Sequence, residues 1–371
     1  MSLASSEGRG TEQDPIRVLV VDDATFMVKA VTEILSEDPG IQVVGAARNG
    51  QEALEMIEKL HPDVITLDID MPVMDGLRTV RHIMIESPVP VVVLSSLFRD
   101  GAITFEALRL GVVDFLAKPS GAVSQDIHRA KQQLIDRVKI AADVQMDQVR
   151  RVRLRPWNLE EVIQQRYGYR TLDYLLTLGT TLGGPNTVIR LFMDLPPDLP
   201  AAVVLVQEIS PQILPAFVKK FDEHVPWRME EATDGIVLEA GCCYVGSTDT
   251  TITITLNSNR EPCLAVGPQS EFPLNQLFFS AAHIFGSNTI GLLLTGLGSD
   301  GADGFAEIQR MGGTTLAEDS DCCVYPNLTE YAIRSGVVSQ VVEEKLLSDR
   351  IRELILGKQR QGEEDVEDAA E

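Results

Sequence analysis

The sequence predicts an α/β protein of two domains in series: a parallel five-stranded sheet with helices on both faces, then a second, doubly wound α/β domain. Two observations carry this expectation. Short runs rich in β-branched residues alternate with amphipathic segments over residues 16–118, and a second alternating set fills about 170–356. A length of 371 residues suits two domains of ordinary size, and a hydrophobic content of 44% can bury two cores.

In the first set the strand candidates are "IRVLVVDD", "IQVVGAA", "DVITLDI", "VPVVVLSS" and "GVVDFLAK". Between them "ATFMVKAVTEILSED" and "NGQEALEMIEKL" carry helical periodicity. Residues 123–147 read as a long helix, and "VRRVRLRPWNLEEVIQQRYGYR" then mixes charges around the helix-breaking Pro156, as a solvated linker does. The second set includes the strand candidates "DYLLTLG", "AAVVLVQ", "TTITITL", "TIGLLLTG" and "GTTLAED", with the helical "PLNQLFFSAAHIF" among them. The closing "GEEDVEDAAE" is acidic and featureless, so disorder is expected there.

A formal net charge of −23 argues against nucleic acid or an anionic membrane surface as the main partner. All five cysteines lie in the second half: Cys242, Cys243, Cys263, Cys322 and Cys323. Their odd count and adjacent pairs suit neither a disulfide framework nor a zinc site; reduced thiols in a cytoplasmic protein are expected. The N-terminus has no apolar h-region, so no signal peptide is expected, and no run approaches the ~18 apolar residues of a membrane-spanning helix.

In an open parallel sheet, ligands sit beyond the carboxyl ends of the strands. The first sheet places Asp22 and Asp23 after strand one, Asp68 after strand three, Ser95 after strand four, and Lys118 after strand five. Gathered carboxylates repel unless a cation neutralises them, and an all-oxygen site suits Mg²⁺. Lys118 and Ser95 can answer a phosphoryl group, so the expected chemistry is phosphoryl transfer onto a carboxylate. The stretches "VLVVDDATFM", "DVITLDIDMPVMDGL", "PVVVLSS" and "DFLAKP" resemble the motifs of response-regulator receiver domains, whose fold is flavodoxin-like. The resemblance implies Asp68 as phosphoacceptor and a magnesium ion held by Asp22, Asp23, Asp68 and the backbone carbonyl of Asp70. It further implies Ser95 and Lys118 as phosphate-sensing residues and Phe115 as the switch aromatic.

Two glycine-rich turns mark the second domain, "LGTTLGGP" and "LLLTGLGSDGADGF". The latter fits G-x-G-x-x-G, with Glu318 beyond the next apolar run where a ribose-binding acid could lie. Asp300, however, would set a carboxylate where a pyrophosphate must bind, which argues against a dinucleotide. Instead the turns present Thr181 and Asp300 at the sheet edge, with Glu208 of "VQEISP" as a third edge position. These stretches and "GTTLAEDSDCCVYPNLTEYAI" resemble the chemotaxis protein-glutamate methylesterases (CheB), which join a receiver to an α/β domain. By that resemblance the receiver spans 15–140, a linker 141–168, the methylesterase-like domain 169–356 and an acidic tail 357–371.

The resemblance breaks at the catalytic triad. The family's serine is Thr181 here, followed by Leu182, Gly183 and Gly184 at the turn that would supply the oxyanion site. Its general-base histidine is Glu208, and only Asp300 is kept. An ionised Glu208 has no proton to offer Asp300, and a glutamate is a weaker base than histidine by about two pKa units. Repulsion would be expected to make one of the two carboxylates take up a proton. His224 and His283 read as surface residues rather than replacement bases. The expectation is a phosphorelay response regulator, fed by a chemotaxis-type sensor histidine kinase, whose second domain has lost ordinary catalysis and serves as a binding module. The alternative is an active methylesterase or glutamine deamidase on methyl-accepting chemoreceptors.

Overall fold

A computed structural model describes residues 10–11, 14–95, 101–118, 125–149, 151–152, 154 and 170–368. The chain forms two compact units, residues 1–151 and 152–371. Residues 150, 153 and 155–168 of the expected linker lie outside the described residues.

In the first unit the strands are β1 (Ile16–Val21), β2 (Ile41–Ala47), β3 (Val64–Leu67), β4 (Val91–Ser95) and β5 (Asp114–Ala117), paired in parallel in the order β2-β1-β3-β4-β5. Their near-continuous apolar runs are what a parallel sheet covered on both faces requires. The helices are α1 (Thr25–Leu35), α2 (Gly50–Leu60), α3 (Gly76–Glu86), α4 (Gly101–Leu110) and α5 (Gln125–Ala142). Asn49 and Asp75 cap α2 and α3 by accepting from the Glu52 and Arg78 amides. Helix α5 stops at Ala142, short of the 147 that periodicity suggested: the Asp143 and Val144 amides turn back to the carbonyls three residues earlier, tightening the end. The strand order reverses between β1 and β3, so Asp22 and Asp68 emerge side by side at the point where such sheets bind ligands.

The second unit contains a seven-stranded parallel sheet. Its strands are β6 (Tyr174–Thr180), β7 (Ala201–Gln207), β8 (Arg228–Glu231), β9 (Cys242–Ser247), β12 (Thr289–Leu293), β13 (Thr314–Glu318) and β14 (Gln340–Val342), in the order β14-β13-β12-β6-β7-β9-β8. The segment "TTITITL" is not part of it. As β10 (Thr250–Leu256) it pairs with β11 (Pro262–Pro268) in an antiparallel hairpin. Among the described residues its helices are α6 (Gly184–Asp194), α7 (Leu214–Asp222), α8 (Pro273–Phe285), α9 (Ala302–Arg310), α10 (Asn327–Arg334) and α11 (Leu347–Asp368).

Side chains alternate across the sheet. Ala202, Val204 and Val206 of β7 pack with Leu274 and Phe278 of α8 and Phe305 of α9 in one core. On another side Phe192 of α6 meets Phe221 and Trp227 edge-on at 5.8 Å, and the Trp227 indole donates to the Leu195 carbonyl at 3.0 Å. Helix α11 continues through Asp368, into the segment expected to be a disordered tail. Its Lys, Gln, Arg and Glu residues are good helix formers, and acidity alone does not break a helix. Among the described residues, no helix is long and apolar enough to cross a membrane.

Candidate functional site

At the edge of the first sheet, carboxylate oxygens of Asp22, Asp23 and Asp68 all lie within 4.8 Å of one another. Asp22 and Asp68 are buried, Asp23 is exposed. The Lys118 ammonium bridges Asp22 Oδ2 at 2.6 Å and Asp68 Oδ2 at 2.7 Å. Asp68 Oδ1 accepts from the Ile69 amide at 2.8 Å, and Asp22 Oδ1 from the Ala24 amide at 2.9 Å. Burial pushes the Asp68 carboxyl above the ordinary carboxylate range, with Lys118 opposing and Asp22 adding to the rise. Lys118 is held above the usual lysine value by the two carboxylates against its own desolvation.

Three carboxylates of one cluster, with hard oxygen donors and a partly solvated edge, fit a Mg²⁺ ion. Asp22, Asp23 and Asp68 would hold it, with the Asp70 carbonyl as the further oxygen; the Asp70 side chain itself is exposed. The ion would supply charge neutralisation for a transferring phosphoryl group. Ser95 ends β4, is buried, and pairs with Ala117, so its neighbour Lys118 is set by sheet register: the Lys118 amide donates to the Ser95 carbonyl at 3.1 Å. Phe115 is half-buried and packs against the core beneath. Asp22, Asp23, Asp68, Asp70, Ser95 and Lys118 thus sit at one edge, while Phe115 lies within β5.

In the second sheet the order reverses between β12 and β6: the chain proceeds outward through β7 on one side and through β13 and β14 on the other. The two glycine-rich turns leave from these two strands, which places Thr181 against the segment 295–301. Thr181 Oγ1 accepts a hydrogen bond from the Leu297 amide at 2.5 Å and lies 3.3 Å from the Leu297 carbonyl, to which it donates. The Thr180 hydroxyl donates to the Thr295 carbonyl at 2.6 Å. Thr181 therefore clasps the neighbouring turn, with its oxygen engaged by an amide rather than by a side-chain base. Gly183 takes φ 74°, a left-handed value that glycine adopts without cost, and leads into α6 with no side-chain cap. Leu182 is buried, and the Gly184 amide donates to the Thr181 carbonyl at 3.1 Å.

Asp300 faces helix α8. Its Oδ2 accepts from the Leu274 amide at 2.7 Å and its Oδ1 from the Asn275 amide at 3.0 Å. Asn275 answers: its Oδ1 accepts from the Gly301 amide at 3.1 Å and the Gly304 amide at 2.8 Å, at the start of α9. Each side chain caps the helix that the other begins. Burial pushes the Asp300 carboxyl above its ordinary value, while the Leu274, Asn275 and Gly301 amides hold it down. Glu208 follows β7 at the same edge and is partly exposed.

The two histidines are placed elsewhere. His283 lies in the last turn of α8, 55% exposed, with Nε2 3.1 Å from Glu307; Asp300 caps the first turn of that helix, about 13 Å away along its axis. His224 follows the C-terminal end of α7, the end remote from the edge that carries Glu208. Glu318, considered above as a ribose-binding acid, has no exposed surface and cannot reach a ribose. Sequence reasoning did not find Asn275, whose partners lie 26 and 29 positions away; no local signal marks it.

Because Asp300 supplies two cap acceptors, Asp300→Ala is expected to destabilise the second unit by about 2 kcal/mol, and Asp300→Asn by less, since one acceptor oxygen remains. Urea unfolding of the full chain reads this directly; equal stability of Asp300→Ala and wild type would show that the caps do not matter.

Comparison with known proteins follows the same division. Residues 18–130 match the model of the response regulator receiver domain, and 176–351 that of the CheB methylesterase. A protein-glutamate methylesterase/protein-glutamine glutaminase of Pyrococcus horikoshii is 36% identical over 335 residues, covering 88% of this chain and 90% of its own. Its counterpart in Symbiobacterium thermophilum is 38% identical over 356 residues, 91% of this chain and 97% of its own. Among solved structures, the catalytic domain of the Thermotoga maritima CheB methylesterase is similar at 25% identity and TM-score 0.47, covering 49% of this chain and 98% of that one. The chain belongs to the CheB family of protein-glutamate methylesterases, as a receiver domain followed by a methylesterase domain.

Proposed function

We propose that the chain is a chemotaxis-type response regulator, phosphorylated on Asp68, whose methylesterase domain has kept the scaffold and given up ordinary ester hydrolysis to act as a binding and regulatory module. The observation that carries this reading is the clasp at Thr181: its oxygen takes a 2.5 Å hydrogen bond from the Leu297 amide, while Asp300 spends both oxygens on the amides of α8. A nucleophile needs a base on its proton and a free lone pair toward the carbonyl carbon. Glu208 in place of histidine cannot bridge Thr181 to Asp300 by donating to one and accepting from the other, as an imidazole does.

In the receiver, a carboxylate oxygen of Asp68 attacks the phosphorus of a phosphohistidine on the donor kinase. The P–N bond breaks, the imidazole takes a proton, and Asp68 becomes an acyl phosphate. Lys118, already within 2.7 Å of Asp68, moves its charge onto the new phosphoryl oxygens, and Ser95 donates to another. The aspartyl phosphate then favours a different arrangement of the receiver, which alters the surface the second domain offers a partner such as a chemoreceptor.

One observation favours the alternative of an active methylesterase or glutaminase. Helix α6 starts at Gly184 with no side-chain cap. The Gly184 amide goes to the Thr181 carbonyl and Pro185 has no N–H, so the amides of Leu182 and Gly183 in the turn before it are the ones that can stabilise an oxyanion. Methanol release from methylated chemoreceptor separates the readings. With Mg²⁺ and a phosphoryl donor, the chain is expected to release methanol at no more than about a hundredth of the rate of a serine–histidine relative, a gap of roughly 3 kcal/mol in barrier. Release at the relative's rate, lost in Thr181→Ala, would establish an esterase with a threonine nucleophile.

A further inference from the structure

The Thr181 clasp has a support on the other side of the sheet edge. Glu318 ends β13 and is fully buried. Its Oε2 accepts from the Thr295 amide at 2.8 Å; its Oε1 is buried with no hydrogen-bond partner. Thr295 is the hub of the turn. Its carbonyl receives the Thr180 hydroxyl at 2.6 Å and the Thr181 amide at 3.4 Å. Its hydroxyl donates to the Tyr325 carbonyl at 3.2 Å and accepts from the Tyr325 amide at 2.9 Å. Two residues on, Leu297 grips the Thr181 hydroxyl. One carboxyl therefore anchors the peptide that joins three strand ends.

We propose that Glu318 is a proton-linked positioning residue: its protonation state sets how firmly the Thr295–Leu297 turn is held against Thr181. The physical reason is the partnerless oxygen. A neutral carboxyl tolerates full burial, but a carboxylate with one bare oxygen does not. The groups around it supply no strong donor for that oxygen. Arg190 of α6 is the neighbouring cation, and it is taken by Glu344, Asn186 and Thr187. Glu344, in the turn Glu344–Leu346, adds negative charge. The Cys323 thiol beside the carboxyl, pushed far up by burial and by Glu318 and so kept protonated, gives it only a weak S–H hydrogen bond, and Cys322 faces Glu318, Asp319 and Glu344. Burial accordingly raises the Glu318 carboxyl to about 7, with Glu344 adding to the rise and the Thr295 amide, Arg190 and the Cys323 thiol opposing. Ionisation must draw in water or pull Arg190 off its partners, and either opens the β13 edge on which Thr295 rests. This holds whether or not the domain hydrolyses esters.

The sign of the effect follows from the raised value. Between about 4.5 and 7 the folded chain keeps a proton that the unfolded chain has lost, so this contribution to stability falls as pH rises and is gone above 7. Glu318→Gln mimics the neutral form. In urea unfolding of the full chain from pH 4.5 to 8.5, the wild-type unfolding constant divided by that of Glu318→Gln is expected to rise by up to tenfold per pH unit to about pH 7, then level off. Amide exchange at Leu297, corrected for its intrinsic pH dependence, should quicken over the same range in wild type alone. A ratio that does not change with pH, or parallel exchange in both proteins, overturns the proposal. Carboxyl NMR of ¹³C-glutamate-labelled wild type tests it without the variant. One glutamate titrating near neutrality is expected; all of them titrating below pH 5.5 would overturn it.

Discussion

Asp68→Asn should take up no phosphoryl group, a loss of at least a hundredfold against wild type in Mg²⁺ and acetyl phosphate. An amide has neither the charge nor the nucleophilic oxygen to form the acyl phosphate. The variant should otherwise stand. Asparagine is isosteric and keeps the acceptor for the Ile69 amide, and Lys118 keeps Asp22 at 2.6 Å. Removing a carboxylate whose burial already raises its pKa relieves a desolvation cost rather than creating a cavity. Intact-mass measurement with the labile phosphate preserved gives the readout, with thermal unfolding as the control for folding. Wild-type uptake by Asp68→Asn would move the acceptor to another residue and undo the assignment of the whole edge.

The second large effect is expected at Gly296. A Cβ built there would lie 2.4 Å from Thr181 Oγ1, 2.8 Å from the Thr181 backbone nitrogen and 3.1 Å from the Leu328 side chain. A flexible side-chain end could yield, but the backbone nitrogen cannot. It belongs to the residue that leaves β6, and moving it breaks the hydrogen bond from Thr181 to the Thr295 carbonyl. Gly296→Ala should therefore cost about 3 kcal/mol, at the upper end of what overpacking usually causes. Thr181→Ala removes the hydroxyl and the γ-methyl without adding bulk and should cost less, about 1 to 2 kcal/mol. Unfolding of Gly296→Ala within 0.5 kcal/mol of wild type, an approximate margin for additive surface changes, would mean that the two turns are not in contact.

The sequence showed the strands plainly wherever both faces are buried. "AAVVLVQ" is β7 residue for residue, and the receiver strands fall within the apolar runs that announced them. The hairpin strand β10 was visible as a strand but assigned with the parallel set. The alternation in "TTITITL" was the available clue, since a strand with one open face alternates and a central parallel strand does not. The receiver edge was legible because each of its residues follows a strand directly, so position along the chain fixes position in space. The second edge was legible only in part. Thr181, Glu208 and Asp300 could be placed by the same rule, but what their side chains do could not. The Asp300 acceptors serve helix amides 25 and 26 residues earlier, and Glu318 reaches an amide 23 residues away. Such pairings depend on tertiary approach, and no spacing in the sequence encodes them.

The mutual caps of Asp300 and Asn275 bear on how activity is inferred across relatives. Anyone grading family members by how many triad letters survive would count Asp300 as one catalytic residue out of three. In this chain that letter is spelled by architecture: α8 needs it to begin where it does, as α9 needs Asn275, turnover or none. An aspartate there is weak testimony to hydrolysis, and the informative letters are the two that a helix start does not demand, at 181 and 208.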